Sequence, residues 1–484
     1  MDNASCYRAI LARDKRYDGR FFTAVITTGI FCRPICPANP PKRENCRFMP
    51  SAAAAQAQGF RPCLRCRPEL SPTLPGWHGT STTVTRALRY IAAGFLNDNN
   101  IPQLAEKLGL GERHFRRLFQ KHMGTSPKNV ARTRRLLIAK QLLTESRMPV
   151  TQVALAAGFT SVRRFNDVLK KDFRLTPRQI RKHHSVCHGN DADLTLQLGY
   201  NPPYNWKGII DYLGPRIIPG VEAINDQSYS RTFQFGGKAA SLTVTPHPDK
   251  NILLVTLHGP DVSHIPQILA RVRNIFDLDS NINVINHHLS AHADLSWRIA
   301  NNPGIRVIGA WEPFELTIRA ILGQQVTVAA ATTLTGRIVA RFGGKVSSPC
   351  PSLTHIFPTP EILADADLSG LGITGSRIKA IQNLARVLRE DPAFFQLPTS
   401  LTGFITRMCE LPGIGAWTAN YVAMRAMGET DAFPASDLAL LKHMQGDGKL
   451  PTARELEKIS DDWRPWRAYA AMYIWANKAE GNKK

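Results

Sequence analysis

The stretch Leu411-Pro412-Gly413-Ile414-Gly415-Ala416-Trp417-Thr418-Ala419-Asn420 decides how the C-terminal half folds. Asp437 follows Gly415 by 22 residues, inside Phe433-Pro434-Ala435-Ser436-Asp437-Leu438. An apolar segment, Phe404–Glu410, precedes the motif and another, Thr418–Met427, grows out of it. The Pro-Gly-x-Gly core therefore predicts a tight hairpin between two helices. Gly413 and Gly415 leave backbone N–H groups open to an anion, phosphate oxygens above all. Pro-Gly-x-Gly alone also describes an ordinary turn, and the downstream Asp gives the motif its weight.

Outward from the hairpin, the charge is unevenly spread. The 484 residues carry 61 Lys/Arg against 38 Asp/Glu, a formal charge of +23. Residues 1–190 hold 33 of those cations and 11 of the acids, a balance of +22, which leaves +1 for residues 191–484. A strongly basic first part predicts a polyanionic partner, most often nucleic acid. The length suggests about three domains, and the 43% apolar content excludes general disorder. No apolar run approaches the ~18 residues of a spanning helix, and no apolar signal core opens the chain. A soluble cytoplasmic protein with no membrane partner is expected.

Five of the nine cysteines lie between Cys32 and Cys66. An odd total without a secretion signal argues against a disulfide framework. Cys32-x3-Cys36 and Cys63-x2-Cys66, separated by 26 residues, present two thiolate pairs to one cation and satisfy tetrahedral zinc. Spacing alone is equally that of a purely architectural site. Cys46, outside the paired spacing, reads as a packed cysteine. The run Phe22 to Pro37 around the first pair, with Gly59-Phe-Arg-Pro-Cys63-Leu-Arg-Cys66-Arg-Pro68, resembles the N-terminal zinc domain of the Ada family over residues 5–70. That resemblance implies that Cys32 accepts a methyl group from a DNA methyl phosphotriester. Arg33, Arg61, Arg65 and Arg67 are then expected to hold the DNA backbone. Loss of one thiolate charge on methylation is expected to raise DNA affinity.

Between Thr85 and about His184 the pattern is helical and contains a repeat. Leu104-Ala-Glu-Lys-Leu-Gly109 is echoed by Val153-Ala-Leu-Ala-Ala-Gly158, Phe115 by Phe165, and Ser126-Pro127 by Thr176-Pro177. Each unit predicts a helix, a tight turn and a second, cationic helix. Arg113, Arg116, Arg117 and Lys121 crowd the first such helix, and Arg163, Arg164, Lys170 and Lys171 the second. Two units about 50 residues apart resemble the AraC-type regulator domain, which implies recognition helices in the major groove. The helix between them, Val130 to Leu143, would set their spacing.

From Leu194 the texture changes. Ser230–Phe235, Ala240–Thr245 and Ile252–Leu257 read as strands, Pro266–Phe276 as a helix, and the chain after about Asn286 as helical to its end, with Pro/Gly breaks around Gly343–Pro351 and Pro358–Pro360. With the hairpin and Asp437, the segments Asn201-Pro-Pro-Tyr-Asn-Trp206, Arg319 to Val326, Phe357-Pro-Thr-Pro360 and Trp463-Arg-Pro-Trp-Arg467 resemble AlkA-type 3-methyladenine DNA glycosylase II over residues 194–478. The resemblance implies that Asp437 is the catalytic carboxylate and that Trp417, Tyr421 and Trp475 line the pocket of a cationic, N-alkylated base. It implies DNA contact by Gly413 and Gly415, a wedge position at Gln325, and a monovalent cation on the carbonyls of Cys409, Leu411 and Gly413. Trp417 stands where strand-cleaving relatives carry Lys, so a monofunctional enzyme is expected. No cysteine follows Cys409, so no iron–sulfur cluster is expected.

The expected fold is multidomain and mainly α with α+β parts. It comprises a small four-cysteine zinc domain (1–76), a tandem helix-turn-helix domain (84–184), a β-rich glycosylase subdomain (191–285) and a helical helix-hairpin-helix core (286–484). Linkers fall at 71–83 and 183–193. The expected function is a fusion of alkylation sensor, transcriptional activator acting with RNA polymerase, and alkyl-base glycosylase on double-stranded DNA. The alternative is a regulator whose glycosylase-like domain is inactive. No Pro-Cys-His-Arg motif occurs, so no O6-methylguanine transferase domain is expected.

Overall fold

A computed structural model describes residues 2–72, 82–182, 193–396, 400–445 and 449–476. Most of both expected linkers, with Cys187, lies outside the described residues. The chain forms two compact units: Met1–Pro202 with Val244–Arg273 and Leu278–Asn281, and Pro203–Thr243 with Asn274–Asp277 and Ile282–Lys484. Among the described residues no helix is long and apolar enough to cross a membrane.

The first unit opens with a small sheet that the sequence texture does not announce. Its strands are β1 (Phe22–Val25), β2 (Ile30–Cys32), β3 (Cys46–Met49) and β4 (Arg61–Pro62), in the order β3-β1-β2-β4. β1 is antiparallel to β2 and β3, whereas β2 and β4 run parallel with Ile30 opposite Arg61 and Phe31 opposite Pro62. The parallel register decides the site. It delivers Cys32 and Cys63 side by side, one residue past the last pair, with the Cys63 N–H bonded to the Phe31 carbonyl at 3.0 Å. Phe22, Ala24, Phe31 and Met49 supply the core under the sheet.

Both helix-turn-helix repeats form as predicted. Helix Ile101–Lys107 leads through Gly109, at φ +68°, to helix Glu112–Met123; Val150–Ala156 leads through Gly158, at φ +79°, to Val162–Phe173. Only glycine takes this left-handed backbone freely. Phe115, Phe119 and Met123 on one helix, and Phe165, Leu169 and Phe173 on the other, recur every four residues on a buried face. Arg113, Arg116, Arg163 and Arg164 lie on the exposed faces opposite. The connecting helix Pro127–Glu145 is capped by Ser126 and buries twelve of its residues, more than its predicted span, Val130 to Leu143, promised.

Charge is also buried in this unit. Lys140, with 0% of its side chain exposed, donates to Glu69 at 2.6 Å and to the Cys63 carbonyl at 3.1 Å. Arg67 pairs with Glu69 at 3.1 Å, pairs with Glu145, and donates to Gln197 at 3.0 Å. Two cations and two carboxylates thus neutralise one another away from water.

Five further strands follow: β5 (Asp193–Gly199), β6 (Glu222–Asn225), β7 (Ser228–Phe235), β8 (Lys238–Pro246) and β9 (Ile252–His258). In the first unit β5 pairs antiparallel with β9, from Asp193–His258 to Gly199–Ile252; in the second β6 pairs with β7. β5 and β6 are additions to the three strands predicted. The second unit is otherwise helical, except for the strand pair Gly344–Lys345 and His355–Ile356, whose first strand falls in the Pro/Gly break expected at 343–351. Its polar pillar is buried: Arg231 pairs with Glu315 at 2.8 Å and Glu222 at 3.5 Å, and Tyr229 donates to Glu222 at 2.6 Å.

Removing one member of a buried pair strands the other in low dielectric. Lys140→Ala is expected to destabilise the first unit by about 3–5 kcal/mol. Calorimetry of the whole chain should show its transition falling, and Lys140→Met with Glu69→Gln should recover part of the loss.

Candidate functional site: a four-thiolate centre and an aromatic pocket

The Sγ atoms of Cys32, Cys36, Cys63 and Cys66 all lie within 4.8 Å of one another. Cys36 is brought back by a tight turn in which its N–H bonds the Arg33 carbonyl at 3.1 Å. Backbone N–H groups of Arg33 and Arg65 donate to the sulfurs of Cys66 and Cys63 at 3.3 and 3.4 Å, which favours thiolate charge there. Four thiols so close compete for protons. Hydrogen bonding to Cys36 and then Cys63 pushes the Cys32 thiol up, whereas hydrogen bonds from Cys32, Cys36 and Cys66 pull Cys63 far down. A dication ends that competition by taking all four as thiolates, and an all-sulfur set of four fits zinc. Cys63 and Cys66 are buried, and Cys32 and Cys36 are half-buried. Cys46 packs beside the Lys42 carbonyl at 3.3 Å, apart from the cluster.

Two of the arginines expected on DNA are placed otherwise. The buried Arg33 guanidinium donates to Asp18 at 2.9 Å and to the Cys66 carbonyl at 3.2 Å, which fastens the zinc loop. Arg67 sits in the Glu69–Glu145–Gln197 network. Both therefore brace the centre from inside. Arg65 is exposed beside it. In the first recognition helix Arg116 is exposed but pairs with Glu112 at 2.6 Å, one turn away.

In the second unit the hairpin forms as expected, between helices Leu401–Cys409 and Ala416–Arg425. Gly413 takes φ +84°, and a Cβ there would lie 2.7 Å from that of Ala380, so the position demands glycine twice over. Gly415 is the N-cap of the second helix. Asn420, the last residue of the motif, accepts the Phe433 N–H at 3.2 Å and so ties the hairpin to the loop that carries Asp437.

Asp437 is the N-cap of helix Leu438–His443. Its Oδ1 accepts the N–H groups of Ala439 and Leu440 and the Trp475 indole N–H, each at 3.0 Å, and its Oδ2 accepts the Trp417 indole N–H at 2.9 Å. Tyr421 stacks on Trp417, with ring centres 5.2 Å apart and planes 10° apart, and meets Trp475 edge-on. Asp437 and these three rings line one cavity of about 890 Å³, a volume that accepts a base with its sugar. The sequence motifs thus converge on one place.

Gln325 stands outside that cavity. It is exposed, at φ +55°, on the turn between helices Pro313–Gly323 and Val328–Phe342. Its neighbours Val326 and Val328 line the mouth and are 37% and 41% exposed. Two of the three hairpin carbonyls expected to hold a monovalent cation already accept hydrogen bonds. Leu411 takes one from the Ile414 N–H at 3.0 Å and Gly413 one from the Gln324 side chain at 2.9 Å, which leaves each oxygen a second lone pair. Sequence spacing missed Gln324 as a hairpin clamp. It also missed Tyr212 beneath Tyr421, which lies outside any local motif, and Arg425, one helical turn on from Tyr421.

A four-thiolate centre with a doubled helix-turn-helix, and a capped carboxylate among aromatic rings beside a helix-hairpin-helix, define a DNA-acting protein that both reads and repairs. Four family models match in turn: the metal binding domain of Ada (residues 5–69), a helix-turn-helix domain (104–183), the AlkA N-terminal domain (195–312) and the HhH-GPD superfamily base excision DNA repair protein (318–465). The chain is 37% identical over 478 residues to the probable bifunctional transcriptional activator/DNA repair enzyme AlkA of Mycobacterium tuberculosis (strain CDC 1551 / Oshkosh), covering 98% of this chain and 96% of that one. It is 31% identical to DNA-3-methyladenine glycosylase 2 of Escherichia coli (strain K12), across 57% of this chain and 95% of the relative. The fold matches 3-methyladenine DNA-glycosylase from Archaeoglobus fulgidus with a TM-score of 0.52 at 19% identity, over 58% of this chain and 96% of that one. The chain belongs to the family of bifunctional transcriptional activator/DNA repair enzymes of the AlkA type. It joins an Ada metal-binding module, a DNA-binding activator domain and a DNA glycosylase in one polypeptide.

The centre makes a direct prediction. Elemental analysis should find one zinc per chain, and Cys66→Ser should lose it together with the fold around β1–β4. Because the ligands must be deprotonated, zinc should also leave as the pH falls, which a chromophoric chelator will follow.

Proposed function

We propose that Cys32 takes the methyl group of a DNA methyl phosphotriester and that Asp437 drives excision of N-alkylated bases such as 3-methyladenine. The observation that carries the second half is the pairing of both pocket indoles with the Asp437 carboxylate. In excision the C1′–N bond breaks and its electron pair neutralises the cationic base. Positive charge develops on the sugar, where the Asp437 carboxylate stabilises it, and water adds at C1′ and loses a proton. The rings of Trp417, Tyr421 and Trp475 offer π faces to the cationic base. Trp417 supplies no amine for a Schiff base, so strand cleavage is outside this chemistry and the enzyme is monofunctional.

In methyl transfer the S–C bond of Cys32 forms as the methyl carbon–oxygen bond breaks, leaving the electron pair on the phosphodiester. Zinc would be held by Cys32, Cys36, Cys63 and Cys66 and would supply thiolate character at neutral pH. Nothing in the motif regenerates Cys32, so transfer occurs once per chain. Arg65 meets the backbone beside the centre, while Arg113, Arg116, Arg163 and Arg164 face the operator. Gly413 and Gly415 bring hairpin amides to the phosphates of damaged DNA, and Gln325 fills the space left by the flipped base. Activation would proceed through RNA polymerase in the cytoplasm. We place domain limits near 76, 84–184, 191–285 and 286–484; the AlkA N-terminal match runs on to residue 312 and the HhH-GPD match begins at 318.

Asp437→Asn should lower release of 3-methyladenine from alkylated duplex by about 10²- to 10⁴-fold while promoter binding persists. Equal release by both proteins would remove Asp437 from the reaction. Mass spectrometry after exposure to methylated DNA should find one methyl on Cys32 in the wild type and none in Cys32→Ala. An unmodified Cys32 would reduce the centre to architecture.

A further inference from the structure

Beneath the aromatic pocket lies a set of charges that the excision chemistry does not use. Arg425 is buried, and its Nε and one terminal nitrogen are fixed on the carbonyls of Ile308 and Gly309 at 2.7 and 3.2 Å. The remaining terminal nitrogen donates to the Tyr421 hydroxyl oxygen at 2.6 Å. Tyr212, from helix Trp206–Leu213, hydrogen-bonds the same oxygen, a contact that raises its own proton affinity and lowers that of Tyr421. The Tyr421 oxygen is thus an acceptor from two sides.

The charges around it explain why this matters for a cationic base. From its own helix Tyr421 faces Arg425, and from the turn after Trp206–Leu213 it faces Arg216, whose guanidinium lies 4.0 Å from the centre of the Tyr212 ring. From helix Pro313–Gly323 it faces Arg319, and Asp437 faces it across Trp417 and Trp475. Glu222 already serves Arg231 and Arg319, at 3.5 and 3.6 Å. Three guanidinium groups therefore press on a pocket meant for a positive charge. With Tyr421 neutral, Arg425 opposes that charge; with Tyr421 ionised, the phenolate cancels Arg425 and the ring becomes a stronger π partner.

We propose that Tyr421 is the charge sensor of the pocket: stacking of a cationic base is coupled to release of the phenol proton to solvent. Arg425 and Tyr212 are positioning residues that act through its oxygen. A neutral lesion base gives no such coupling, so the pair sets a preference between cationic and neutral substrates. Burial, the largest influence, raises the proton affinity of Tyr421. Arg425, Arg216, the Tyr212 hydrogen bond and Arg319 outweigh it and bring the phenol from its ordinary value near 10 down to about 8. By linkage, the advantage of a cationic base grows with pH below that point and levels off above it.

The inference rests on the glycosylase reading and is testable apart from it. Full-length protein is given duplexes carrying 3-methyladenine or neutral hypoxanthine, and excision rates are taken after subtraction of spontaneous loss. In the wild type the ratio of the two should rise at least about tenfold between about pH 6 and about pH 8. Tyr421→Phe should flatten that ratio. The near-ultraviolet tyrosinate band should show one phenol titrating near 8, absent from Tyr421→Phe. Tyr212→Phe and Arg425→Met should move it upward, and Arg425→Lys should bring it partly back. Excision of both bases at a pH-independent ratio, or an unchanged slope in Tyr421→Phe, overturns the inference alone. Excision of neither base at any pH overturns the glycosylase reading and this inference with it.

Discussion

Asp437 receives four N–H groups, two from the helix it caps and two from indoles on other helices. This arrangement settles three matters together. It ends the loop from Phe433 and starts helix Leu438–His443, whose positive N-terminal dipole faces a carboxylate. It orients Trp417 and Trp475 so that the aromatic cavity has fixed walls. It also loads Oδ1 with three donors and Oδ2 with one, which leaves Oδ2 the freer oxygen. An asparagine keeps a capping oxygen but offers one acceptor for two indoles and no charge. The pocket therefore depends structurally on the same group that is proposed to carry its chemistry.

The first unit obeys a similar constraint by other means. Its zinc loop has few apolar residues to fasten it, so buried ion pairs do so instead. Arg33 grips Asp18 and the Cys66 carbonyl, while Lys140 joins Glu69 to the Cys63 carbonyl. Such pairs contribute modest net stability because desolvation offsets attraction, but losing one partner is costly, so they enforce one geometry. For a centre in which one sulfur must react and three must hold, fixed geometry is the useful property.

The motifs legible in the sequence were those in which local spacing sets the geometry. Cys32-x3-Cys36 and Cys63-x2-Cys66 converge as expected, the helix-turn-helix repeat falls on its glycines, and Gly413 lies in the conformation that a Pro-Gly-x-Gly turn requires. Features made by distant segments were not legible. The parallel pairing of β2 with β4 joins residues about 30 positions apart through only two pairs, too few for any strand periodicity. β6 is legible only in the fold because it is four residues long and turns into β7 through Asp226-Gln227, without glycine or proline. Tyr212 lies 209 positions before Tyr421 and only the fold brings it there, whereas Arg425 sits one helical turn away. Arg33 and Arg67 failed for a related reason: composition counts a cation but does not say which way it points.

That last point revises what the charge split means. The first part carries +22, yet Arg33, Arg67 and Lys140 spend their charge on internal carboxylates and carbonyls, so the field at its surface comes from fewer cations than the count suggests. In the second part the balance is +1, and Arg231, Arg306, Arg425 and Arg467 are all buried. DNA binding there cannot depend on a strong general field. The proposed grip is by hairpin amides, which carry no net charge, and by a pocket whose guanidinium groups would repel a cationic base unless something offsets them. A neutral total thus conceals a site in which individual charges matter greatly. Net charge identifies a protein that grips DNA by its backbone, and it is silent about one that selects a single base by the local balance around one phenol.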